Sequence, residues 1–255
     1  MEIISNLTGN NVIAVIPTAD HTQDHVSNLQ KELESNHVDY ILIENSGPTF
    51  SFSKSMNVGI KEALSHHPSC VILSNDDVFG IEGIDGMVDY VLSHENCYVQ
   101  PYMNGRKPVV NVTTSPIKLL AGYTLARKAP FYACKFTFGI MKLTDKFALG
   151  VPSLTGNGIV SVQPFGVFKA NTLESERFDE NFRIYVEDDE FAYRLSLKGI
   201  NGHTDPSWKI RHYGGSSLGK GMSEERLKLV AYGGAYFYRK HFEPKKESAS
   251  VRKVA

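Results

Sequence analysis

Two adjacent carboxylates, Asp76 and Asp77, follow Asn75 directly after the apolar run Cys70–Ser74. Side by side at a strand end they repel each other unless a cation or hydrogen-bond donors sit close by. A hard divalent metal prefers oxygen ligands and is often shared with substrate phosphates, so the tripeptide is a candidate metal and phosphate site. The competing reading is an Asx-rich turn that caps the next helix. A second acidic group, Glu187-Asp188-Asp189-Glu190, opens a helical pattern in which Phe191, Leu195 and Lys198 share a face. Acids in a first turn offset the helix dipole and cap free amides, which accounts for two of the four. The surplus leaves a carboxylate for general-base work toward a hydroxyl, if that helix end points into a cleft.

A third segment, Arg211-His212-Tyr213-Gly214-Gly215-Ser216-Ser217, carries a histidine out of a strand into a glycine and serine loop. The imidazole can ligate a metal and the glycines let backbone amides approach phosphate oxygens; a satisfied structural histidine is the plainer alternative. The loop lacks the lysine and spacing of a P-loop. A fourth, Glu44-Asn45-Ser46, puts an acid where it can accept hydrogen bonds from a base or ribose, or simply makes a turn. No dinucleotide GxGxxG follows the first strand, and neither a nucleophile elbow nor HExxH is present.

These segments need a frame that brings residues 75–77 and 187–190 together. The first half of the chain alternates short apolar runs with amphipathic patterns, the signature of crossover units that build a mainly parallel sheet. Asn11–Pro17, Tyr40–Glu44 and Cys70–Ser74 read as buried strands. Between them, Asp24–Ser35 carries Val26, Leu29 and Leu33 at helical spacing, and Ser53–Leu64 does the same with Met56, Ile60 and Leu64. Strands one and three end in Thr18 and Asn75-Asp76-Asp77, at the carboxyl edge where open α/β sheets hold ligands. A helix near Ile84–His94, a strand at Tyr98–Pro101, a turn at Asn104-Gly105 and a β run at Val109–Thr113 follow. Ser115–Gly158 is irregular, aromatic and rich in Gly and Pro; an acceptor-facing insertion is one reading of it. Regular structure resumes at Val160–Ala170, then a short helix near Asn171–Ser175 and a helix Asp188–Lys198 ended by Gly199. A strand at Trp208–His212 and a long helix at Ser223–His241 precede a polar tail, 243–255, that is expected to fray.

Composition narrows the setting. The 255 residues are 42% hydrophobic and 22% charged, which suits one globular domain. Basic and acidic side chains nearly balance at 27 and 28, so no nucleic-acid or anionic-membrane partner is expected and any phosphate site is local. Cys70, Cys97 and Cys134 are odd in number and lack metal or redox spacing, which favours core roles and a reducing, cytoplasmic compartment. The N-terminal stretch has no basic start before an apolar run and no segment approaches the ~18 apolar residues of a membrane span, so the chain reads as soluble. The sequons at Asn6 and Asn111 are too short a pattern to weigh.

The order of these segments resembles the family 2 glycosyltransferases of the GT-A fold, over most of Val12–His241. VIPT at 15–18 resembles the family's opening strand, with Ala19 and Asp20 where an aromatic and Asn are common. ENSGPTFSFSKSMNVGI at 44–60 is similar to its acid-Asn-Ser segment with a downstream Asn-x-Gly, and VILSNDDV at 71–78 to its metal-binding segment. FGVFKANTLESERFDENFRIYVEDDEFAYRLSLKG at 165–199 is similar to its long acceptor-side block, with the Glu187-Asp188 pair and Arg194 six residues after that Asp. Asn75 stands where many relatives have Asp, and Glu190 where Asp is usual.

The resemblance implies an α/β fold of GT-A type, a mainly parallel central sheet with flanking helices. One domain, 1–242, would hold a Rossmann-like nucleotide-sugar half at about 1–101 and an acceptor half at about 102–242. It implies that Pro17, Thr18, Glu44, Ser46 and Asn57 serve the nucleotide-sugar pocket, with Asn75 and Asp76 near the ribose and diphosphate. Asp77 would be the principal metal carboxylate, His212 would approach the metal or diphosphate, Asp188 would be the base and Glu187 a substrate contact. The implied activity is transfer of a sugar from a UDP-, GDP- or dTDP-linked donor to a glycan, lipid-linked or protein acceptor hydroxyl, with inversion. Mn²⁺ or Mg²⁺ would assist departure of the nucleoside diphosphate. The Asn75 departure bears on metal affinity and the Glu190 departure on acceptor contacts. Both also suggest the alternative of a catalytically silent nucleotide-sugar or carbohydrate binding module. A metal-dependent phosphohydrolase is a third reading, disfavoured by the thin clustering of histidines.

Overall fold

The computed structural model describes residues 1–47, 50–110 and 159–214, together with 229, 232–234, 236, 237 and 239–241. The 115–158 segment, the end of the 109–113 run, the loop beyond Gly214, Cys134, most of the 223–241 helix and the 243–255 tail lie outside the described residues. Strands are β1 (Glu2–Asn6), β2 (Val12–Thr18), β3 (Asp39–Glu44), β4 (Cys70–Ser74), β5 (Val78–Glu82), β6 (Cys97–Val99), β7 (Tyr102–Met103), β8 (Val109–Val110), β9 (Ile159–Val160), β10 (Phe165–Lys169), β11 (Asn201–His203) and β12 (Lys209–His212). Helices are α1 (Asp24–Ser35), α2 (Phe52–Ser65), α3 (Ile84–Ser93), α4 (Ala170–Ser175) and α5 (Glu187–Leu197). The described residues from 229 to 241 are helical as well.

The main sheet has seven strands in the order β1-β3-β2-β4-β10-β6-β11. Strands β3, β2, β4, β6 and β11 run one way; β1 and β10 run against them. The sheet is therefore mainly parallel, and with helices on both faces it fits the GT-A type. Alternation along β2 explains the two-sided core: Ile13 and Val15 join one buried cluster with Met56 and Ile60 of α2, while Ala14 and Ile16 join another with Leu29 and Leu33 of α1. Each such Leu or Ile contributes about 1.5–3 kcal/mol by leaving water. Helix α2 lies close against the sheet at Gly59, where an added Cβ would meet Val15 Cγ1 at 2.3 Å.

Four strands lie outside the sequence-based reading: β1, β5, β7 and β11. β1 is an edge strand antiparallel to β3, half exposed and short of apolar residues. β5 is likewise half exposed, and leads a three-stranded sheet, β5-β12-β7, at the carboxyl end of β4. The expected run Val160–Ala170 divides into β9 and β10 around Gln163-Pro164. The turn at Asn104-Gly105 is present, with both residues at positive φ, 49° and 74°. Cys70 and Cys97 are free thiols, the first buried. Among the described residues no helix is long and apolar enough to cross a membrane.

Candidate functional site

The apolar run of β4 ends at Ser74, and Asn75-Asp76-Asp77 leave the sheet at its carboxyl edge. The Asn75 amide donates to Pro164 O at 2.8 Å, fixing the exit. Asp76 Oδ2 accepts from Thr18 Oγ1 at 2.9 Å and lies 3.8 Å from His25 Nε2. Burial raises the Asp76 pKa; the Thr18 hydroxyl pulls it back and the neighbouring Asp77 adds to the rise. Asp77 Oδ1 lies 2.7 Å from His212 Nε2. That meeting is a product of register, because β5 and β12 pair with His212 opposite Val78. Asn104 then grips the His212 backbone, accepting from its N–H and donating to its carbonyl, each at 3.2 Å. Asn75 Nδ2 approaches the same His212 Nε2 at 3.4 Å, while Asn75 Oδ1 has no partner among the described residues.

The facing wall is the start of α5. Tyr185 and Val186 hold φ values of 69° and 71°, left-handed backbone that a β-branched valine rarely adopts and that costs about 1–3 kcal/mol per residue. Gly233 of the C-terminal helical residues backs this turn: an added Cβ would meet Tyr185 O at 2.8 Å. The sharp turn starts α5 at Glu187 with no side-chain cap, so Glu187, Asp188 and Asp189 present a row of carboxylates to the cleft. Burial and then the Asp188 charge push Glu187 well above the usual carboxylate range. Burial also raises Asp188 and, with Asp188 adding to it, lifts Asp189 well up. Glu187 Oε2 has no hydrogen-bond partner among the described residues.

Glu190 behaves differently from the three acids before it and does not line the cleft. Its buried carboxylate meets Lys240 Nζ at 2.7 Å, His241 Nε2 at 3.1 Å and Arg194 Nε at 3.2 Å. Burial pushes its pKa up, but His241, Lys240 and Arg194 outweigh it and hold the group at about 2. The expectation that Glu190 bears on acceptor contacts gives way to a clamp between α5 and the C-terminal helical residues.

The two walls enclose a cleft of about 430 Å³. Eight residues singled out from the sequence line it: Pro17, Thr18, Asn75, Asp76, Asp77, Glu187, Asp188 and His212. Glu44, Ser46 and Asn57 do not. Glu44 sits beside Thr18 in register, but its Oε2 is taken by the His21 N–H at 3.0 Å and by the His21 ring. The pairing lowers the Glu44 pKa and raises that of His21. Ser46 is exposed in the loop after β3. Asn57 clamps α2 to the approach to α5: it accepts from Phe178 N and donates to Phe178 O, both at 2.9 Å. Phe50, Phe52 and Gln163 also line the cleft. A lone glutamine before a proline matches no motif, so nothing in the sequence singles out Gln163.

Asp77, His212 and the Asn75 amide form an oxygen and nitrogen set that could hold a divalent cation. The unpartnered Asn75 Oδ1 is the observation that favours a missing partner here. Asp20, His21 and Glu44 also bring ligand atoms within 4.8 Å of one another. Hydrogen bonds already engage both Asp20 oxygens, from Thr22 N and Gln23 Nε2 at 2.9 Å each, and Glu44 Oε2, from His21. Asp77, beside the unpartnered Asn75 Oδ1, is thus a second candidate position for a cation.

No protein-family model and no curated protein matches the chain. Among solved structures it is similar to A197 from STIV, at 12% identity and a TM-score of 0.46 over 79% of this chain and 85% of that one. It is also similar to a glycosyltransferase involved in the glycosylation of the major capsid of PBCV-1, at 7% identity and a TM-score of 0.42 over 86% and 98%. A third is GalNAc-T7, crystallised with UDP, GalNAc and Mn²⁺, at 10% identity and a TM-score of 0.48. That likeness covers 89% of this chain and 49% of GalNAc-T7. Glycosyltransferases are thus among its structural neighbours, and the roles of individual residues rest on the geometry of this chain.

Proposed function

We propose that the chain is an inverting, metal-assisted glycosyltransferase of family 2 type, moving a sugar from a UDP-, GDP- or dTDP-linked donor to an acceptor hydroxyl. The observation that carries this reading is one cleft with Asp77 and His212 on one wall and Asp188 on the other. Asp77 and His212, with the Asn75 amide, would hold Mn²⁺ or Mg²⁺, which supplies charge neutralisation for a departing diphosphate. Thr18 and Asp76, joined by their hydrogen bond, form a fixed surface for the ribose and diphosphate. Asp188, made more basic by burial, takes the proton from the acceptor hydroxyl as the new bond forms. Glu187, whose Oε2 has no hydrogen-bond partner among the described residues, contacts the substrate beside it.

The test is a melting-temperature panel of UDP, GDP and dTDP with and without Mn²⁺ or Mg²⁺, followed by donor turnover in variants. One nucleotide should raise the melting temperature in a metal-dependent way. Asp188→Asn should lower transfer by about 10²–10⁴-fold, the range for losing a general base. Turnover near wild type in both Asp188→Asn and Asp77→Ala would sink the mechanism. Nucleotide binding with neither transfer nor donor hydrolysis would instead support a silent binding module, the reading that Asn75 in a carboxylate position favours.

A further inference from the structure

We infer that Gln163 reads the hydroxyl pattern of the donor sugar, and so determines which sugar is transferred; this rests on the glycosyltransferase reading above. Gln163 precedes β10, which pairs antiparallel with β4 so that Phe165 faces Ser74. Continuing that register sets positions 163 and 164 against the Asn75-Asp76 end of β4, and Pro164 O indeed accepts from Asn75 N at 2.8 Å. The Gln163 backbone is pinned as well, its N–H donating to Ser161 Oγ at 3.1 Å and its carbonyl accepting from the same hydroxyl at 2.7 Å.

The side chain is the unexplained part. Gln163 is 8% exposed, yet neither Oε1 nor Nε2 has a hydrogen-bond partner among the described residues. Burying a carboxamide without partners is unfavourable, and native proteins rarely keep one unless water or a ligand completes it. Its chemistry narrows the partner. A diphosphate only accepts hydrogen bonds and would leave Oε1 unpaired, whereas neighbouring sugar hydroxyls both donate and accept. Its place fits too, because it lines the same cleft as the Asp77 wall and the Asp188 wall, between which the transferred sugar must lie.

The test uses the full chain with UDP-glucose, UDP-galactose, UDP-N-acetylglucosamine, GDP-mannose and dTDP-glucose as probes. In Gln163→Met, kcat/KM for the active probe should fall about 10–100-fold, the size of one or two lost hydrogen bonds. The Kd of the matching nucleoside diphosphate should not change, and the unliganded melting temperature should hold or rise because an unpaired polar group is gone. Against the deoxy analogue of the active sugar, wild type and variant should converge. Gln163→Leu, which neither accepts nor donates and adds no charge, gives the same kinetic reading should the methionine variant fail to fold. Unchanged kcat/KM in the variants overturns the inference while leaving sugar transfer standing. Equal weakening of nucleoside diphosphate also overturns it, assigning Gln163 to the nucleotide. Wild type that neither binds nor turns over any probe overturns both readings at once.

Discussion

Replacing Glu190 by glutamine keeps the shape of a fully buried side chain and removes the charge on which Lys240, His241 and Arg194 converge. These partners are only 27%, 10% and 20% exposed; Lys240 keeps Asp179 and Arg194 keeps Glu176, so the loss belongs at the low end for a broken buried pair. Breaking a buried ion pair by deleting one member costs about 3–5 kcal/mol. Proton linkage gives a second route to the same quantity. A carboxyl held at about 2 instead of its ordinary 4.5 favours the folded, ionised form by about 3 kcal/mol. The two figures agree, so Glu190→Gln should lose about 3 kcal/mol near pH ~7.

The sign of the pH dependence follows from a folded pKa below the unfolded one. Stability from Glu190 is complete above the unfolded value and fades as pH falls from there toward the folded one. The difference between wild type and Glu190→Gln should therefore narrow from about 3 kcal/mol near pH ~7 to about half of that near pH ~3. Urea unfolding followed by the fluorescence of Trp208, the single tryptophan, measures it. Trp208 is buried in the cluster on the α1 and α3 side, away from Glu190, and so reports global unfolding. A difference below about 1 kcal/mol near pH ~7, or one of equal size at both pH values, would refute the reasoning.

Further perturbations test the walls separately. Gly233→Ala forces a Cβ to within 2.8 Å of Tyr185 O, and should destabilise by about 1–3 kcal/mol. The same variant should lower sugar transfer more than nucleoside diphosphate affinity, read as kcat against Kd. Asn57→Ala strips the Phe178 N–H and carbonyl of their partner and should cost about 2–3 kcal/mol in a melt. It should leave nucleotide affinity unchanged, since Asn57 does not line the cleft. His212→Ala should abolish the metal-dependent part of the nucleotide thermal shift while the unliganded protein still melts cooperatively, and a metal-dependent shift of wild-type size would refute that role.

The strands β2, β3 and β4 were legible because burial on both faces leaves unbroken apolar runs such as Val71-Ile72-Leu73. The acidic segments were legible because carboxylates at a strand end and at a helix start need an explanation on any fold. What could not be read was partner choice. Glu44 and Asn57 are polar residues at plausible positions, but His21 and Phe178 claim them through contacts that depend on tertiary placement. Among the four acids of α5, only the arrival of Lys240 and His241 from the far end of the chain separates Glu190 from its neighbours. β1 and β5 escaped because half-exposed strands with mixed composition carry a weak period-2 signal.

The two walls of the cleft are held by different means, and this bears on how the site responds to change. Asp76 and Asp77 extend from a central strand, with Thr18, Pro164 and the β5–β12 pairing fixing their backbone and side chains. That wall draws on the most deeply buried part of the sheet, so surface changes should scarcely move it. Asp188 instead follows two left-handed residues whose strain must be balanced by Gly233 and by the Glu190 cluster. Strained backbone persists only while its surroundings overdetermine it, and here those surroundings are the C-terminal helical residues. Changes at Gly233, Lys240 or His241 should therefore reach Asp188, the proposed base, before they reach Asp77, separating loss of transfer from loss of metal and nucleotide binding.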